Sequence, residues 1–434
     1  MKALQVDKKL TRLGLARMLS AVSPATAAKL GPLELVDVDP PVPPADGWRR
    51  VRPTLSGICG SDLSTVEGHA SPYFDDWVSF PFTPGHEVVG CLDDGTRVVI
   101  EPVLGHEARG CAPPFPGAAP GDGDDYAHLV LGPLEPGIQI GFCNSTGGGW
   151  SRELVAHDSQ LHRLPDDISD ERAVLIEPAA GGIHAALLTW PVLHDVDHPI
   201  VAVLGAGTMG LCAIGGLRRH IPNVRIVVGA RYPHQHALAK ALGAEVVVMP
   251  GELQRAIRRL VGCHVVGDHL SGGVHAAIDA VGTSESIEQC LRFTRPRGRV
   301  VLLGMPADVR LDLTGLWHRE TQLVGAYTYG TETLPDGRRV RTFDLAIDAA
   351  RELPLDSLLS ATYPLHRHRD AITHAAQAGR RGAVKIAFDL REDSAPTTTR
   401  RRRGEGSASD EPHGGSRHSE AAPSPADQNR KRDK

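Results

Sequence analysis

The sequence IVAVLGAGTMG, residues 200–210, decides the fold. It joins a short apolar run to a glycine-rich turn that opens a helix-like segment. In such a turn Gly205 permits a tight bend, Gly207 lets a pyrophosphate approach the backbone, and Gly210 lets the helix pack against the strand. The positive end of the helix favours the phosphates. The residues predicted to contact a dinucleotide cofactor are Gly205, Gly207, Thr208, Met209 and Gly210.

Short apolar runs alternate with helix-like segments on both sides of this turn. The runs RIVVGA, EVVVMP, AAIDAVG and RVVLLGM lack polar alternation, as strands buried on both faces of a parallel sheet do. This α/β pattern predicts a doubly wound parallel sheet, a Rossmann domain, over residues 169–324.

The chain on either side of that domain has a different pattern. Residues 1–168 contain brief strand-like runs punctuated by Pro and Gly, which predicts an irregular β-rich domain with a helical insertion at Leu10–Leu30. Residues 325–390 end in AVKIAFDL and are expected to complete that domain. Residues 391–434 are polar and charged with almost no apolar side chains, which predicts a disordered tail.

The composition is that of a globular protein and excludes several functions. The chain has 434 residues, of which 41% are hydrophobic and 23% charged, with a net charge of −5. Neither this balance nor the 4% aromatic content indicates nucleic acid or membrane as a partner. The seven cysteines form no C-x-x-C pair, and the sequence shows no apolar run long enough for a membrane span. We therefore expect a cytoplasmic protein in a reducing compartment.

The residue after the second strand of the Rossmann pattern indicates which cofactor binds. An NAD site places Asp or Glu about 20 residues after the glycines, to hold the ribose 2′-hydroxyl. This chain reads VVGARYP there, with Ala230 followed by Arg231. Because a guanidinium pairs with a 2′-phosphate, we expect NADP(H) to be preferred over NAD(H). The alternative is that Arg231 stacks on the adenine, in which case selectivity is weak.

Upstream of the Rossmann pattern lies a set of metal-ligating side chains. Cys59 stands between glycines in GICGSDL, His86 and Glu87 follow in PGHEVVG, and Glu177 lies in LIEPAAGG. A catalytic zinc takes about three protein ligands of N, S or O type and keeps one position open. Cys59, His86 and Glu177 supply such a set, with Glu87 as a fourth candidate.

In this order and spacing, GICGSD, PGHEVVG, the Glu177–Pro178 pair and GAGTMG resemble the zinc-dependent medium-chain dehydrogenase/reductase family. The resemblance covers roughly residues 30–390. It implies a GroES-like catalytic domain built from both chain ends around a Rossmann domain, with the active site in the cleft between them. It also implies zinc chemistry on an alcohol or carbonyl substrate.

The resemblance also assigns roles to individual residues. Cys59, His86 and Glu177 match the catalytic zinc ligands, and Glu87 matches an acidic neighbour that ligates zinc or exchanges with water. Asp62 matches the carboxylate that orients the ligand histidine. Ser61 matches the hydroxyl that passes the substrate proton outward.

One departure from the family concerns a second, structural zinc, which many relatives hold with four closely spaced cysteines. The corresponding stretch, GHEARGCAPPFPGAAPGDGDDYAHL, keeps only Cys111. One cysteine cannot form a closed tetrathiolate site, so this zinc is predicted to be absent and the lobe loosely held.

The leading hypothesis is a zinc-dependent NADP(H) oxidoreductase acting on a small secondary alcohol, polyol or sugar, as a dimer or tetramer. One alternative is a zinc-independent quinone or enoyl reductase of the same fold, which the retained ligand set disfavours. Another is a catalytically silent NADPH-binding or interaction protein, which the degraded lobe and the charged tail suggest.

Overall fold

The computed structural model describes residues 1–20 and 22–391, so the predicted tail lies outside the described residues except for Arg391. The strands are, in chain order, β1 Lys2–Val6, β2 Leu33–Asp37, β3 Trp48–Gly57, β4 Val88–Cys91, β5 Arg97–Ile100, β6 Leu154–His157, β7 Leu161–Arg163, β8 Ile200–Leu204, β9 Arg225–Gly229, β10 Val246–Val248, β11 Val265–Val266, β12 His269–Leu270, β13 Val274–Asp279, β14 Thr294–Leu302, β15 Gln322–Gly325, β16 Thr331–Thr333, β17 Arg339–Arg341, β18 Leu359–Pro364 and β19 Lys385–Asp389. The helices are α1 Leu10–Ser20, α2 Pro24–Leu30, α3 Gly60–Val66, α4 Asp170–Ala173, α5 Ile176–Leu187, α6 Thr208–His220, α7 Pro233–Ala241, α8 Leu253–Val261, α9 Ser284–Phe293, α10 Thr314–His318, α11 Thr342–Glu352 and α12 His368–Ala376.

The predicted parallel sheet is confirmed. Within the described residues, a six-stranded sheet has the order β10-β9-β8-β13-β14-β15, and every pairing in it is parallel. The order reverses between β8 and β13, which is where doubly wound sheets bind their ligands. The glycine-rich turn follows β8 and therefore opens at this point of the sheet.

The second large sheet joins the two ends of the chain. Its order is β18-β19-β3-β4-β5-β7, and β6 also pairs with β3. The antiparallel pairing of β19 with β3 places Ala387 opposite Gly57, directly before the GICGSDL turn. The predicted return of the C-terminal segment to the β-rich domain thus corresponds to a specific strand pairing. The described residues all fall in one compact unit, and the domain boundaries at 168 and 324 stay predictions.

Two helical predictions are refined by the structure. The insertion at 10–30 is two helices, α1 and α2, and not one; Ser23 begins the second by accepting the Thr26 N–H. The prediction that no run is long enough for a membrane span is wrong by length and composition, because Asp170–Val192 meets both criteria, but its apolar window is 78% buried inside the fold. It contains α5, a core helix that packs against α6 of the Rossmann sheet.

The lobe, residues 105–149, is organised by a buried arginine. The Arg109 side chain is 1% exposed, and its guanidinium donates hydrogen bonds of 2.7–3.2 Å to four backbone carbonyls. The acceptors are Leu131, Leu134, Glu135 and Gly137. The expectation of a loosely held lobe is therefore wrong, because the planar guanidinium crosslinks the loop as a metal would. The absence of a structural zinc stays a prediction.

Replacing Arg109 with Lys is expected to lower the free energy of unfolding by about 3 kcal/mol. A single ammonium nitrogen cannot reach four carbonyls, and buried acceptors without a donor cost about 1–3 kcal/mol each. Urea denaturation measures the loss, with Arg258→Lys on the exposed face of α8 as the matched control. An Arg109→Lys protein as stable as the parent would contradict this account of the lobe.

Candidate active site

Cys59 lies at the junction between a strand and a short helix. β3 ends at Gly57, and α3 begins at Gly60, with Cys59 in the extended conformation just before it. The buried Asp62 carboxylate accepts the Cys59 backbone N–H at 2.9 Å. This contact caps the helix start and fixes the direction in which the thiol projects.

His86 is held behind the cysteine by the same carboxylate. Its imidazole is 3% exposed, and its Nδ1 lies 3.4 Å from Asp62 Oδ1, with no other partner for either atom among the described residues. With Nδ1 facing Asp62, Nε2 is the nitrogen left to ligate a metal. Burial by itself lowers the pKa of His86, but Asp62 and Cys59 outweigh burial, and the net pKa lies well above its ordinary value. Metal binding at this site therefore displaces a proton.

Glu87 is fully buried and paired with Lys385, a residue that the sequence analysis did not identify. Lys385 Nζ lies 2.5 Å from both Glu87 carboxylate oxygens and also donates to the Ile58 carbonyl at 3.2 Å. Both side chains are 2% exposed or less. Burial lowers the pKa of Lys385, whereas Glu87 raises it, and the net pKa is raised, so the ammonium stays charged. A Cβ at Gly57 would overlap the Glu87 carboxylate, which explains the glycine there.

Three of the predicted ligands converge. Donor atoms of Cys59, His86 and Glu87 all lie within 4.8 Å of one another, and Glu177 is not part of this group. Glu177 lies at the start of α5 and accepts a hydrogen bond of 2.9 Å from the hydroxyl of Tyr329. Burial raises the pKa of Glu177 to about 7, an effect that the nearby Glu87 increases and His86 opposes. Glu177 thus lies within electrostatic reach of the group.

The partners of the two glutamates distinguish their roles. If Glu87 turned to a metal, buried Lys385 would lose its counter-ion, and breaking such a pair costs about 3–5 kcal/mol. Glu177 accepts the Tyr329 hydroxyl through Oε1 alone, so its second oxygen can bind a metal without the loss of that hydrogen bond. The energetic comparison favours Glu177 as the metal ligand and Glu87 as a fixed charge beside it.

Ser61 lies on the first turn of α3, two residues after Cys59. It is partly exposed, and its hydroxyl makes no hydrogen bond with any described residue. The hydroxyl is therefore available to a bound substrate or to water. The predicted role of Ser61 as a proton relay stays a prediction.

The glycine-rich turn has the shape that a dinucleotide requires. Gly205 has a φ of +97°, and a Cβ at Gly210 would overlap the Gly205 carbonyl oxygen. Gly207 is different, because a Cβ there would meet nothing within 4 Å. No contact within the described protein explains a glycine at 207, whereas close approach by a pyrophosphate does. Thr208 and Met209 form the first turn of α6, which lacks a side-chain cap.

Arg231 follows β9 and points to solvent. It is exposed and makes no hydrogen bond or ion pair with any other described residue. The guanidinium is therefore free to bind an anion beside the turn, and its neighbour Ala230 brings no carboxylate to oppose one.

Comparisons with known proteins agree with this arrangement. Residues 45–166 match the model of the alcohol dehydrogenase GroES-like domain, and residues 208–340 match that of the zinc-binding dehydrogenase. The chain belongs to the zinc-dependent medium-chain dehydrogenase/reductase family. It is an oxidoreductase of the alcohol dehydrogenase type.

Individual relatives in this family are distant. L-idonate 5-dehydrogenase of Vitis vinifera is 24% identical over 79% of this chain and 87% of its own length. Sorbitol dehydrogenase of Homo sapiens is 25% identical over 80% of this chain and 93% of its own length. A Sinorhizobium meliloti 1021 protein solved with NADP bound shares the fold, with a TM-score of 0.60, 20% identity, and coverage of 82% of this chain and 95% of that one.

Lys385 and Tyr329 are the site residues of this family member that sequence reasoning missed. Lys385 is 298 residues from Glu87, and Tyr329 is 152 residues from Glu177. The sequence offered one signal for Lys385, which is that this lysine lies in the largely apolar segment AVKIAFDL. A charged residue in a buried strand requires a buried counter-ion.

Replacing Lys385 with Met is expected to lower the free energy of unfolding of the metal-free protein by about 3–5 kcal/mol, because Glu87 would be left buried without a counter-ion. The double variant Glu87→Gln, Lys385→Met should recover most of this loss. Urea denaturation in the presence of a chelator measures both changes, and exposed Lys240→Met serves as the control. Equal losses in the single and double variants would refute the pairing.

Proposed function

We propose that this protein transfers a hydride between NADP(H) and a small secondary alcohol, polyol or sugar, with one catalytic zinc held by Cys59, His86 and Glu177. The observation that carries the proposal is the convergence of the Cys59 thiol, the His86 imidazole and the Glu87 carboxylate, with Asp62 beside the imidazole. This donor set fits zinc, which takes N, S and O ligands. The glycine-rich turn, with open space where a Cβ at Gly207 would lie, fits the pyrophosphate of a dinucleotide cofactor.

The substrate class in this proposal is supported by the relatives. Those compared above are named as sorbitol and L-idonate dehydrogenases, which are polyol and sugar-acid enzymes by name. The NADP-bound neighbour supports a nicotinamide cofactor of this kind in the fold. The homo-oligomeric state and the cytoplasmic location stay predictions.

Each residue around the metal site has a separate role in the proposed reaction. Cys59, His86 and Glu177 would hold the zinc, which when bound would supply Lewis-acid assistance at the substrate oxygen. Asp62 orients the His86 ring, and Lys385 neutralises Glu87, so that this carboxylate adds no net charge beside the reacting oxygen. The Ser61 hydroxyl, which has no partner among the described residues, accepts the proton that the alcohol loses and passes it outward.

The nicotinamide is brought to this site by residues of the other sheet. The turn at 205–210 and the N-terminus of α6 would hold the pyrophosphate of the cofactor, and Arg231 would pair with a 2′-phosphate. α5, which carries Glu177 in its first turn, packs on α6, which begins at the glycine turn. One helix pair thus links the ligand to the cofactor turn and fixes their separation.

Replacing Cys59 with Ser is expected to remove the zinc and to lower kcat by more than about 100-fold, since even residues that only support zinc ligands contribute about 10–100-fold. The purified parent should contain about one zinc per chain by atomic emission. Cys263→Ser, in the Rossmann half, is the matched control. Full turnover by the metal-free parent would overturn the proposal.

The Arg231→Ala variant is expected to weaken NADPH binding by about 10–100-fold and to leave NADH binding nearly unchanged. A charge-assisted contact to phosphate is worth about 1.5–3 kcal/mol, and NADH has no 2′-phosphate to lose it. Fluorescence titration of both cofactors measures the ratio, with Arg258→Ala as the control. An unchanged ratio would show that Arg231 does not select the cofactor.

The substrate itself is found by screening NADP⁺ reduction across secondary alcohols, polyols, aldoses and sugar acids. Activity should depend on Cys59 for every compound that is oxidised. Reduction of quinones or enones by the Cys59→Ser variant would instead support a zinc-independent reductase.

A further inference from the structure

A short segment lies between the lobe and the helix that carries Glu177. Residues 329–332, here called the clasp, start with Tyr329 and end with Glu332 in β16. In the structure it makes polar contacts on both of its sides.

On the lobe side, the clasp is held by Asp122. The Thr331 backbone N–H donates to Asp122 Oδ1 at 2.8 Å, and the Thr331 hydroxyl donates to Asp122 Oδ2 at 2.6 Å. A Cβ at Gly121 would overlap the Tyr329 carbonyl oxygen, and a Cβ at Gly330 would overlap the Asp122 carboxylate. Gly121 and Gly330 thus allow the two backbones to approach closely. The Asp122 carboxylate accepts hydrogen bonds from both the N–H and the hydroxyl of Thr331.

On the helix side, the clasp holds two residues of α5. The Tyr329 hydroxyl donates to Glu177 Oε1 at 2.9 Å, and Glu332 Oε1 lies 2.6 Å from His184 Nδ1. Glu332 Oε1 also accepts the Thr342 hydroxyl at 2.9 Å, and the Tyr329 ring packs edge-on against Phe343. The phenol ring is buried, with only 3% of the residue exposed. Glu177 is therefore oriented by a tyrosine that has little freedom to move.

The position of Asp122 depends in turn on the lobe. Asp122 Oδ2 also accepts the Ala119 backbone N–H at 2.8 Å, so the carboxylate closes its own turn while it holds Thr331. The chain of contacts runs from the lobe through Asp122 and Thr331 to Tyr329, and ends on Glu177. Two of these steps are hydrogen bonds between residues far apart in sequence, Asp122 with Thr331 and Tyr329 with Glu177, and the backbone through Gly330 links Thr331 to Tyr329.

We propose that Asp122 is a positioning residue for the metal site: it holds Thr331, which fixes the Tyr329 hydroxyl on Glu177 and so increases metal affinity. The inference rests on the proposed function, in which Glu177 is a zinc ligand. It gives the lobe a role in preparing the catalytic metal site. Residues that support metal ligands from behind typically contribute about 10–100-fold in affinity.

The test compares Asp122→Ala, Tyr329→Phe and the double variant by competition of Zn²⁺ with a chromophoric chelator. Each single variant should weaken zinc binding by about 10–100-fold. The double variant should bind no more weakly than Tyr329→Phe alone, because Asp122 acts through that hydroxyl. The visible absorption spectrum of the Co²⁺-loaded protein should change in both single variants, since it reports ligand geometry. Exposed Asp124→Asn, in the same loop, is the control.

Milder variants guard against a folding defect. Thr331→Val removes only the hydroxyl contact and should weaken zinc binding in the same direction as Asp122→Ala, whereas Thr331→Ser should restore the parent affinity. If Asp122→Ala does not fold, Thr331→Val decides the question. Unchanged zinc affinity in folded variants, or an Asp122→Ala effect that persists undiminished in the Tyr329→Phe background, would overturn the inference.

The Glu177→Gln variant separates this inference from the proposed function. If Glu177→Gln binds zinc as tightly as the parent, the ligand assignment itself is wrong. If Glu177→Gln loses zinc while Asp122→Ala and Thr331→Val retain it, Glu177 is a ligand and only the positioning role of Asp122 fails.

Discussion

The buried ion pair between Lys385 and Glu87 is the constraint on which the site depends. It joins the last strand of the fold, β19, to the motif that carries His86, and Lys385 also binds the Ile58 carbonyl beside Cys59. Two charges can stay buried together only if each satisfies the other. The pair therefore ties β19 to the segments that carry Cys59 and His86.

The same pair gives two adjacent carboxylates different roles. Both oxygens of Glu87 are paired with an ammonium group, whereas Glu177 is held through one oxygen, by the Tyr329 hydroxyl, and keeps the other for a metal. A basic side chain has a similar part in the lobe, where the guanidinium of Arg109 donates to four backbone carbonyls. In both places one buried basic side chain holds several oxygen acceptors in fixed positions.

Local sequence determined the elements that rely on short-range physics. A glycine-rich turn between an apolar strand and a helix is a local pattern, so the tight turn at Gly205–Gly210 could be predicted from the sequence. The alternation of apolar strands and helices likewise specified the parallel sheet, because strands buried on both faces lack polar residues. Cys59, His86 and Glu87 could be grouped through their resemblance to a known family, and the structure brings them within 4.8 Å.

The tertiary structure alone decided which partner each of these residues has. Lys385, Tyr329 and Asp122 each act on a residue more than 100 positions away, and no local periodicity records such a pairing. The lobe was expected to be loose because its cysteines are missing, yet Arg109 organises it with acceptors that only the folded loop brings together. Sequence by itself determined the chemistry available to this protein, since residue types set ligand and cofactor classes. The tertiary structure decided which side chains position these residues, because each buried charge of the site needs a partner from a distant part of the sequence.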